Sequence, residues 1–260
     1  MLVEGVGIRA IQRLTGVSRP TVLAVLETAG TKAARLLDRK LRDMTPKFVQ
    51  VDECWTFVFS KQMNTDITDS ERGDQFVFHA IDKETKLILA HRIGKRDAET
   101  THAFMRDLHD RIAIAFQLTT DGFQIFPQAV YANWRGGIDY AQQVKIYSHD
   151  PDNRSTQRRY SPGRCTGVRT MRKLGYPLES EISTSHVERT NLSLRLFNRR
   201  FTRLTLGYSK KLEYLKHAVA LFVAHFNFCR IHSAHGQTPA QAAGLANEAW
   251  SIEELLKRAF

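Results

Sequence analysis

The segment KFVQVDECWTFVFS, residues 47–60, determines how we interpret the whole fold. Its Val, Phe and Trp residues are typical of a buried β-strand. Asp52 nevertheless interrupts the apolar run FVQVDECW, and a charge inside a central strand costs free energy unless it is paired, hydrogen-bonded or bound to a metal. The segment therefore predicts a strand at the centre of a sheet and a functional carboxylate on that strand.

The elements that follow this strand occur in an order that indicates an α/β fold. QFVFHAID and KLILAHRIG are also rich in apolar residues such as Val, Ile and Phe, so we expect three antiparallel strands. In DAETTHAFMRDLHDRIA, apolar residues recur every fourth position behind Asp97, which predicts a capped helix. FQLTTDG predicts a short strand that stops at Asp121, PQAVYANW predicts a short helix, and IDYAQQVKIYS predicts a further strand. This order favours a mixed sheet flanked by helices.

Two more helices are predicted in the last third of the chain. SHVERTNLSLRLF has helical character, and we expect Leu192 and Leu196 on its buried side. SKKLEYLKHAVALFVAHFNFCRIH places apolar residues on one stripe, which predicts a long amphipathic helix. Between the strands and these helices, residues 149–180 are irregular and basic, so we interpret them as an inserted loop.

The N-terminal segment IRAIQRLTGVSRPTVLAVLETAG has the pattern of two short helices joined by a tight turn. Ser18 suits a helix N-cap, and proline is tolerated in the first turn that follows. This is the pattern of a helix-turn-helix whose second helix, residues 19–27, would enter the major groove, with Arg19 and Thr21 as DNA contacts. Any helical hairpin would share the pattern. We therefore expect residues 1–46 to form a DNA-binding segment with a connector helix, and residues 47–260 to form the main domain.

The distribution of charge indicates a polyanionic partner. The net charge is +11, and residues 151–235 hold 16 Lys and Arg against 5 Asp and Glu, while the rest of the chain is balanced. Lys and Arg held against phosphates release condensed counterions, so nucleic acid is the leading candidate. A solvated basic face is the alternative. The basic residues that we expect to contact DNA in this region are Arg158, Arg159, Arg189, Arg199, Arg200, Arg203, Lys210 and Lys211.

Other classes of protein fit the sequence poorly. The three cysteines lie far apart without a CxxC pair, which argues against a disulfide framework and against a thiolate zinc site. No apolar run reaches the roughly 18–20 residues of a membrane-spanning helix, and MLVEGVGIRA does not have the pattern of a signal peptide. We expect a cytoplasmic protein.

Asp121 and Glu188 are the acidic residues that we group with Asp52. Asp121 ends the strand QLTT, although an Asp–Gly pair is also common in turns, and Glu188 lies seven positions before Arg195, so the two would share a helix face. Exposed ion pairs on a helix would explain Glu188 equally well. Carboxylate clusters suit Mg²⁺ or Mn²⁺. Because neighbouring strand residues face opposite sides, we assign Asp52 to the site and leave Glu53 as a cross-strand partner or solvent-facing acid.

The stretches VDECW, TTDG and STSHVERTNLSLRLFNRRFTRLTLGYSKKLE resemble those of the DDE transposases of bacterial insertion sequences, closest to the insertion-sequence-one type. HFNFCRIHSAHGQTPAQAAG resembles their C-terminal segment, and the resemblance covers roughly residues 40–245. It implies an RNase H-like catalytic core. It also implies that Asp52, Asp121 and Glu188 are the metal ligands, with Arg195 as the basic residue that follows the glutamate. Longer relatives carry more sequence before the helix-turn-helix, often with a cysteine zinc motif, so the resemblance leaves open whether this chain is a shortened form.

The function that this resemblance implies is metal-dependent DNA cleavage and strand transfer. Two Mg²⁺ or Mn²⁺ ions would be the cofactors, and such ions about 3.5–4 Å apart serve in-line phosphoryl transfer. The partners would be double-stranded DNA, as element ends and target, and further copies of the chain, because two ends must be held together. The alternatives are an RNase H-like nuclease or resolvase without strand transfer, and a DNA-binding regulator with an inactive core.

Overall fold

A computed structural model describes residues 1–147 and 165–258, and within them one mixed sheet forms the centre of the fold. The strand order is β3-β2-β1-β4-β5-β6. β1 pairs antiparallel with β2, and β2 with β3, which confirms the three predicted antiparallel strands. β4 runs parallel to β1 and to β5. The strands are β1 Phe48–Val58, β2 Gly73–Asp82, β3 Ile88–Gly94, β4 Gln117–Thr120, β5 Asp139–Tyr147 and β6 Cys165–Leu174.

Helices cover this sheet, so the predicted mixed α/β architecture is confirmed in its coarse form. Asp97 caps α3 as expected, because its carboxylate accepts a hydrogen bond of 2.8 Å from the backbone N–H of Thr100. The helices are α1 Ile8–Thr15, α2 Arg19–Lys40, α3 Ala98–His109, α4 Phe126–Trp134, α5 Ser185–Phe197, α6 Leu212–Phe228, α7 Pro239–Ala242 and α8 Ile252–Arg258.

The N-terminal helices differ from the prediction in one respect. Ser18 accepts a 3.3 Å hydrogen bond from the backbone N–H of Thr21, as a predicted cap should. However, α2 continues without a break to Lys40, so the expected recognition helix 19–27 and the connector form a single helix. The structure therefore does not confirm a helix-turn-helix.

Close packing on α6 explains why α2 continues through Gly30. A Cβ at Gly30 would lie 2.4 Å from Cβ of His217 and 2.5 Å from its Cα, so glycine permits the two helices to approach. The residues of this helix that belong to the same apolar core as the sheet are Leu26, Ala29, Ala33, Leu36 and Leu37. The division of the chain near residue 46 stays a prediction.

α6 is the central helix of the core. Val219, Phe222 and Phe226 are buried as the predicted stripe requires, and Leu221 and Val223 on other faces are buried too. This helix therefore packs on more than one side, against α2 and against β3. The side chain of Asn227 bonds the backbone N–H and carbonyl of Ile88, at 3.0 and 2.9 Å, which satisfies a buried amide and fixes the helix on the sheet.

The basic segment 149–180 was predicted to be a loop, and for its second half this is wrong. Residues 165–174 form β6, an edge strand antiparallel to β5, while residues 148–164, including the predicted DNA contacts Arg158 and Arg159, lie outside the described residues. β6 is mostly exposed along its length, so it lacks the apolar alternation by which strands are recognised. No helix among the described residues combines the length and the apolar character needed to cross a membrane.

Candidate metal centre

Three carboxylates converge at the point where β4 ends. One oxygen atom from each of Asp52, Glu53 and Asp121 lies within 4.8 Å of the others. The strand register explains this position, because β4 pairs with β1 only as far as Val51 opposite Thr120. Asp52 and Asp121 are the next residues on these two parallel strands. They therefore emerge side by side, while β1 continues beyond its neighbour.

Glu53 belongs to this acidic group, which corrects the assignment made from strand alternation. Its side chain is only 5% exposed and forms an ion pair with Arg96, so it is neither solvent-facing nor a cross-strand partner. Alternation assigns consecutive residues to opposite faces of a continuous sheet. Here β1 remains paired with β2 but has no neighbour on the β4 side beyond Val51, and Asp52 and Glu53 both line the open cavity there.

Each carboxylate in the group has a distinct polar partner. Asp52 accepts a hydrogen bond of 2.7 Å from the side-chain amide of Asn191 on α5. Asp121 accepts one of 3.1 Å from the backbone N–H of Phe123. The guanidinium of Arg96 contacts Glu53 and lies 3.7 Å from Asp121 Oδ2. Arg96 was not predicted from the sequence. It precedes the helix cap Asp97 and lies 43 positions after Glu53, so no local pattern connects the two residues.

The electrostatics of the group are unfavourable without further positive charge. Burial and then the neighbouring carboxylates raise the pKa of Asp52 well above its usual range. Burial, followed by the charge of Asp121, raises the pKa of Glu53 to about 7. Burial also raises the pKa of Asp121. A cation among these oxygens would favour all three ionised forms.

The donor set fits a hard divalent cation. All the acidic ligands are carboxylates, which Mg²⁺ and Mn²⁺ prefer. Within the described residues, Glu53 Oε2 and Asn191 Oδ1 are buried oxygens without a hydrogen-bond partner, and each has a lone pair to offer. The group Asp52, Glu53 and Asp121 could therefore hold a metal ion.

Glu188 lines the same cavity but is engaged by a different cation. Lys145 of β5 donates to its carboxylate at 2.6 Å, and the hydroxyl of Thr184 donates at 2.7 Å. Glu188 is thus outside the close group formed by Asp52, Glu53 and Asp121. Its charge still raises the pKa of Asp52 and Asp121, though less than burial does. Lys145 was not identified from sequence, because it carries no motif.

One face of α5 borders the cavity. Glu188, Asn191 and Arg195 line it, at helical spacing. Burial raises the pKa of the Cys54 thiol, and the nearby Arg195 guanidinium partly offsets that rise. Arg195 therefore lies toward β1 instead of pairing with Glu188.

The buried face of α5 differs from the prediction. Leu192 and Leu196 are 43% and 58% exposed, whereas Val187, Thr190 and Leu194 are buried. Thr190 can take an internal position because its hydroxyl donates to the carbonyl of His186 at 3.0 Å. A count of leucines alone therefore gave the wrong orientation for this helix.

The residues predicted to contact DNA lie in several places. Arg19 and Thr21 are exposed in the first turn of α2, and Arg189 is exposed on α5. Arg203 lines the acidic cavity. Of the other predicted contacts, Arg199 is partly buried, and Lys210 and Lys211 are exposed. The Nε of Arg200 donates a hydrogen bond of 3.0 Å to the hydroxyl of Ser209, and burial lowers the pKa of Arg200 to about 10.

Comparisons with known proteins return little. No family model matches this chain, and no curated protein matches it. Among solved structures, the chain is similar to piggyBac transposase, determined by cryo-EM as a synaptic complex with hairpin DNA, at 10% sequence identity and a TM-score of 0.37. The match covers 83% of this chain and 52% of that one, so this chain spans about half the length of that transposase. At this distance the similarity carries no argument about activity.

Proposed function

We propose that this chain is a divalent-metal-dependent DNA transposase of the DDE class and of the insertion-sequence-one type, with an RNase H-like core. The observation that carries the proposal is the buried group of Asp52, Glu53 and Asp121, which borders an open cavity also lined by Glu188 and Arg195. The mixed sheet with flanking helices supports such a core. The resemblance of VDECW, TTDG and the segment around Glu188 supports the choice of class.

The metal would be held by the carboxylates that converge at the end of β4. Asp52 and Asp121 would bind it, Glu188 would complete the predicted set, and Glu53 offers a further buried oxygen. Two bound Mg²⁺ or Mn²⁺ ions would supply an activated water for cleavage and would stabilise the leaving oxygen. Asn191 would hold the Asp52 carboxylate in one orientation through its 2.7 Å hydrogen bond.

The basic residues around the cavity would bind and orient the DNA. Arg195 and Arg203 line the same cavity as the carboxylates, so a phosphate beside the acidic group would meet both guanidinium groups. Lys145 would have to release Glu188 before that carboxylate could serve as a ligand. Residues 1–46, with Arg19 and Thr21 in the first turn of α2, would contribute to recognition of double-stranded DNA.

The proposed activity has a second step, strand transfer, which requires two DNA ends and a target. The product of the first cleavage is a strand with a free 3′-hydroxyl, and attack of this hydroxyl on target DNA would join the two without a covalent enzyme intermediate. Two element ends must be held together, so we propose a homo-oligomer assembled on DNA. The proposed location is the bacterial cytoplasm.

Strand transfer is the experiment that tests this function. The full chain would be incubated with Mg²⁺, a plasmid and a labelled oligonucleotide that bears a pre-cut end taken from the DNA beside the coding region. A joined product is expected. Asp121→Asn should abolish it, whereas the exposed Asp110→Asn should not. Cleavage without joining would favour a nuclease or resolvase, and DNA binding by the wild type with neither cleavage nor joining would favour a regulator with an inactive core.

A further inference from the structure

We propose that Arg96 is an exchangeable counter-ion of the acidic group. In the metal-free protein its guanidinium takes the place of a metal cation beside the carboxylates, and it thereby weakens divalent-metal binding. The inference rests on the proposed metal centre and goes beyond it, since it concerns how readily that centre is loaded. Arg96 would be a positioning residue, because its effect on any reaction would pass through the carboxylates.

The contacts of Arg96 place it between two of the three acids. Its Nε contacts Glu53, and its terminal nitrogen lies 3.7 Å from Oδ2 of Asp121. Its guanidinium lies 4.1 Å from the centre of the Phe123 ring, on the loop that follows β4. One side chain therefore connects β1 with the end of β4, through charge and through a cation–π contact.

The backbone around Arg96 is fixed, while its side chain is free to leave. A Cβ at Gly94 would lie 2.6 Å from Thr100, and Asp97 caps α3 through a 2.8 Å hydrogen bond. Lys95 donates to the carbonyl of Asp74 at 3.1 Å. The Arg96 side chain, by contrast, is 40% exposed and is held by the acids and the neighbouring rings. It can rotate into solvent without any change in the fold.

Glu53 needs a neighbouring cation whenever it is ionised. Its side chain is 5% exposed, so water cannot solvate its charge, and Arg96 is its ion-pair partner within the described residues. A divalent ion bound by the group would satisfy Glu53 in place of the guanidinium. The two cations would then lie within a few ångströms of each other and repel, so the metal must compete with Arg96 for the same carboxylates.

Titration of the full chain with Mn²⁺ tests this competition. Dissociation constants would be measured by calorimetry at about pH 8 for the wild type, Arg96→Gln, Arg96→Lys and the control Arg92→Gln. Arg92 is exposed on β3 and forms no ion pair among the described residues. Arg96→Gln should bind Mn²⁺ at least about tenfold more tightly, since tenfold requires only about 1.4 kcal/mol of relieved repulsion. Arg92→Gln should stay within about twofold of the wild type.

Arg96→Lys provides a second measure if the neutral variant folds poorly. A lysine keeps one positive charge but cannot bridge two carboxylates. The Mn²⁺ affinity of Arg96→Lys should therefore fall between those of the wild type and Arg96→Gln. Equal or weaker Mn²⁺ binding by both Arg96 variants would overturn the inference while leaving the metal centre intact. If no variant binds Mn²⁺, the inference and the proposed metal centre both fail.

Discussion

Replacing Glu53 with Gln should stabilise the metal-free protein above neutral pH. Burial, followed by the charge of Asp121, raises the pKa of Glu53 from 4.5 to about 7. The unfolded chain loses this proton near pH 4.5, whereas the folded protein keeps it until about pH 7. The folded state therefore binds more protons between these values, and the free energy of unfolding falls as the pH rises through this window.

The size of the effect follows from the two pKa values. Their separation corresponds to about 3 kcal/mol of unfolding free energy lost by pH 8. Solvent screening reduces this little, because the Glu53 side chain is 5% exposed. The neutral Gln carries no such penalty. The melting temperature of metal-free Glu53→Gln should therefore exceed that of the wild type by roughly 5–10 °C at pH 8, but by less than about 2 °C at pH 5.

Scanning calorimetry of the full chain at both pH values, with and without Mn²⁺, would measure this. The control is Glu27→Gln, which removes an exposed glutamate on α2 that forms no ion pair among the described residues. If Glu53→Gln lowers the melting temperature at pH 8, or raises it equally at both pH values, the reasoning about the acidic group is refuted. The stabilisation that Mn²⁺ gives the wild type should largely disappear in Glu53→Gln, since a buried anionic carboxylate is replaced by a neutral amide.

Three further outcomes are expected. Asp121→Asn should lower Mg²⁺-dependent strand transfer at least about hundredfold in a gel assay, because even outer-shell partners of a metal contribute 10–100-fold; retained activity would exclude metal catalysis at this group. Burial lowers the pKa of His79 to about 4, so the change in unfolding free energy from pH 6.5 to pH 4, measured with urea, should be about 3 kcal/mol less unfavourable in His79→Gln than in the wild type. Gly30→Ala should destabilise the protein by about 1–3 kcal/mol in urea, although alanine favours helices, because its Cβ would meet the backbone of His217 at 2.5 Å; a stabilised variant would contradict the packing of α2 on α6.

Local patterns were sufficient for much of the fold. β1 to β3 were predicted from their apolar composition, and the caps at Ser18 and Asp97 from the residues that follow them. These features depend on interactions within a few residues of the chain, which a sequence displays directly. The association of Asp52 with Asp121 was also inferred from sequence, because each acid stands at an unusual position on a strand.

Features that depend on distant contacts were missed. The unbroken α2 depends on how closely Gly30 approaches His217, and β6 depends on pairing with β5. The inclusion of Glu53 follows from the short length of β4, which leaves part of β1 without a neighbour on that side. A rule for a single strand cannot contain that information. The same holds for Arg96, whose role is set by elements far from it in sequence.

The continuity of α2 has a geometric consequence for DNA recognition. A straight helix of 22 residues is about 33 Å long, close to one full turn of a DNA duplex. Its exposed first turn and the turns that pack on α6 near Gly30 belong to one continuous helix. Under the proposed function, a base pair recognised by the first turn of α2 would lie at a fixed distance from the metal centre, because a continuous helix and not a flexible linker separates them.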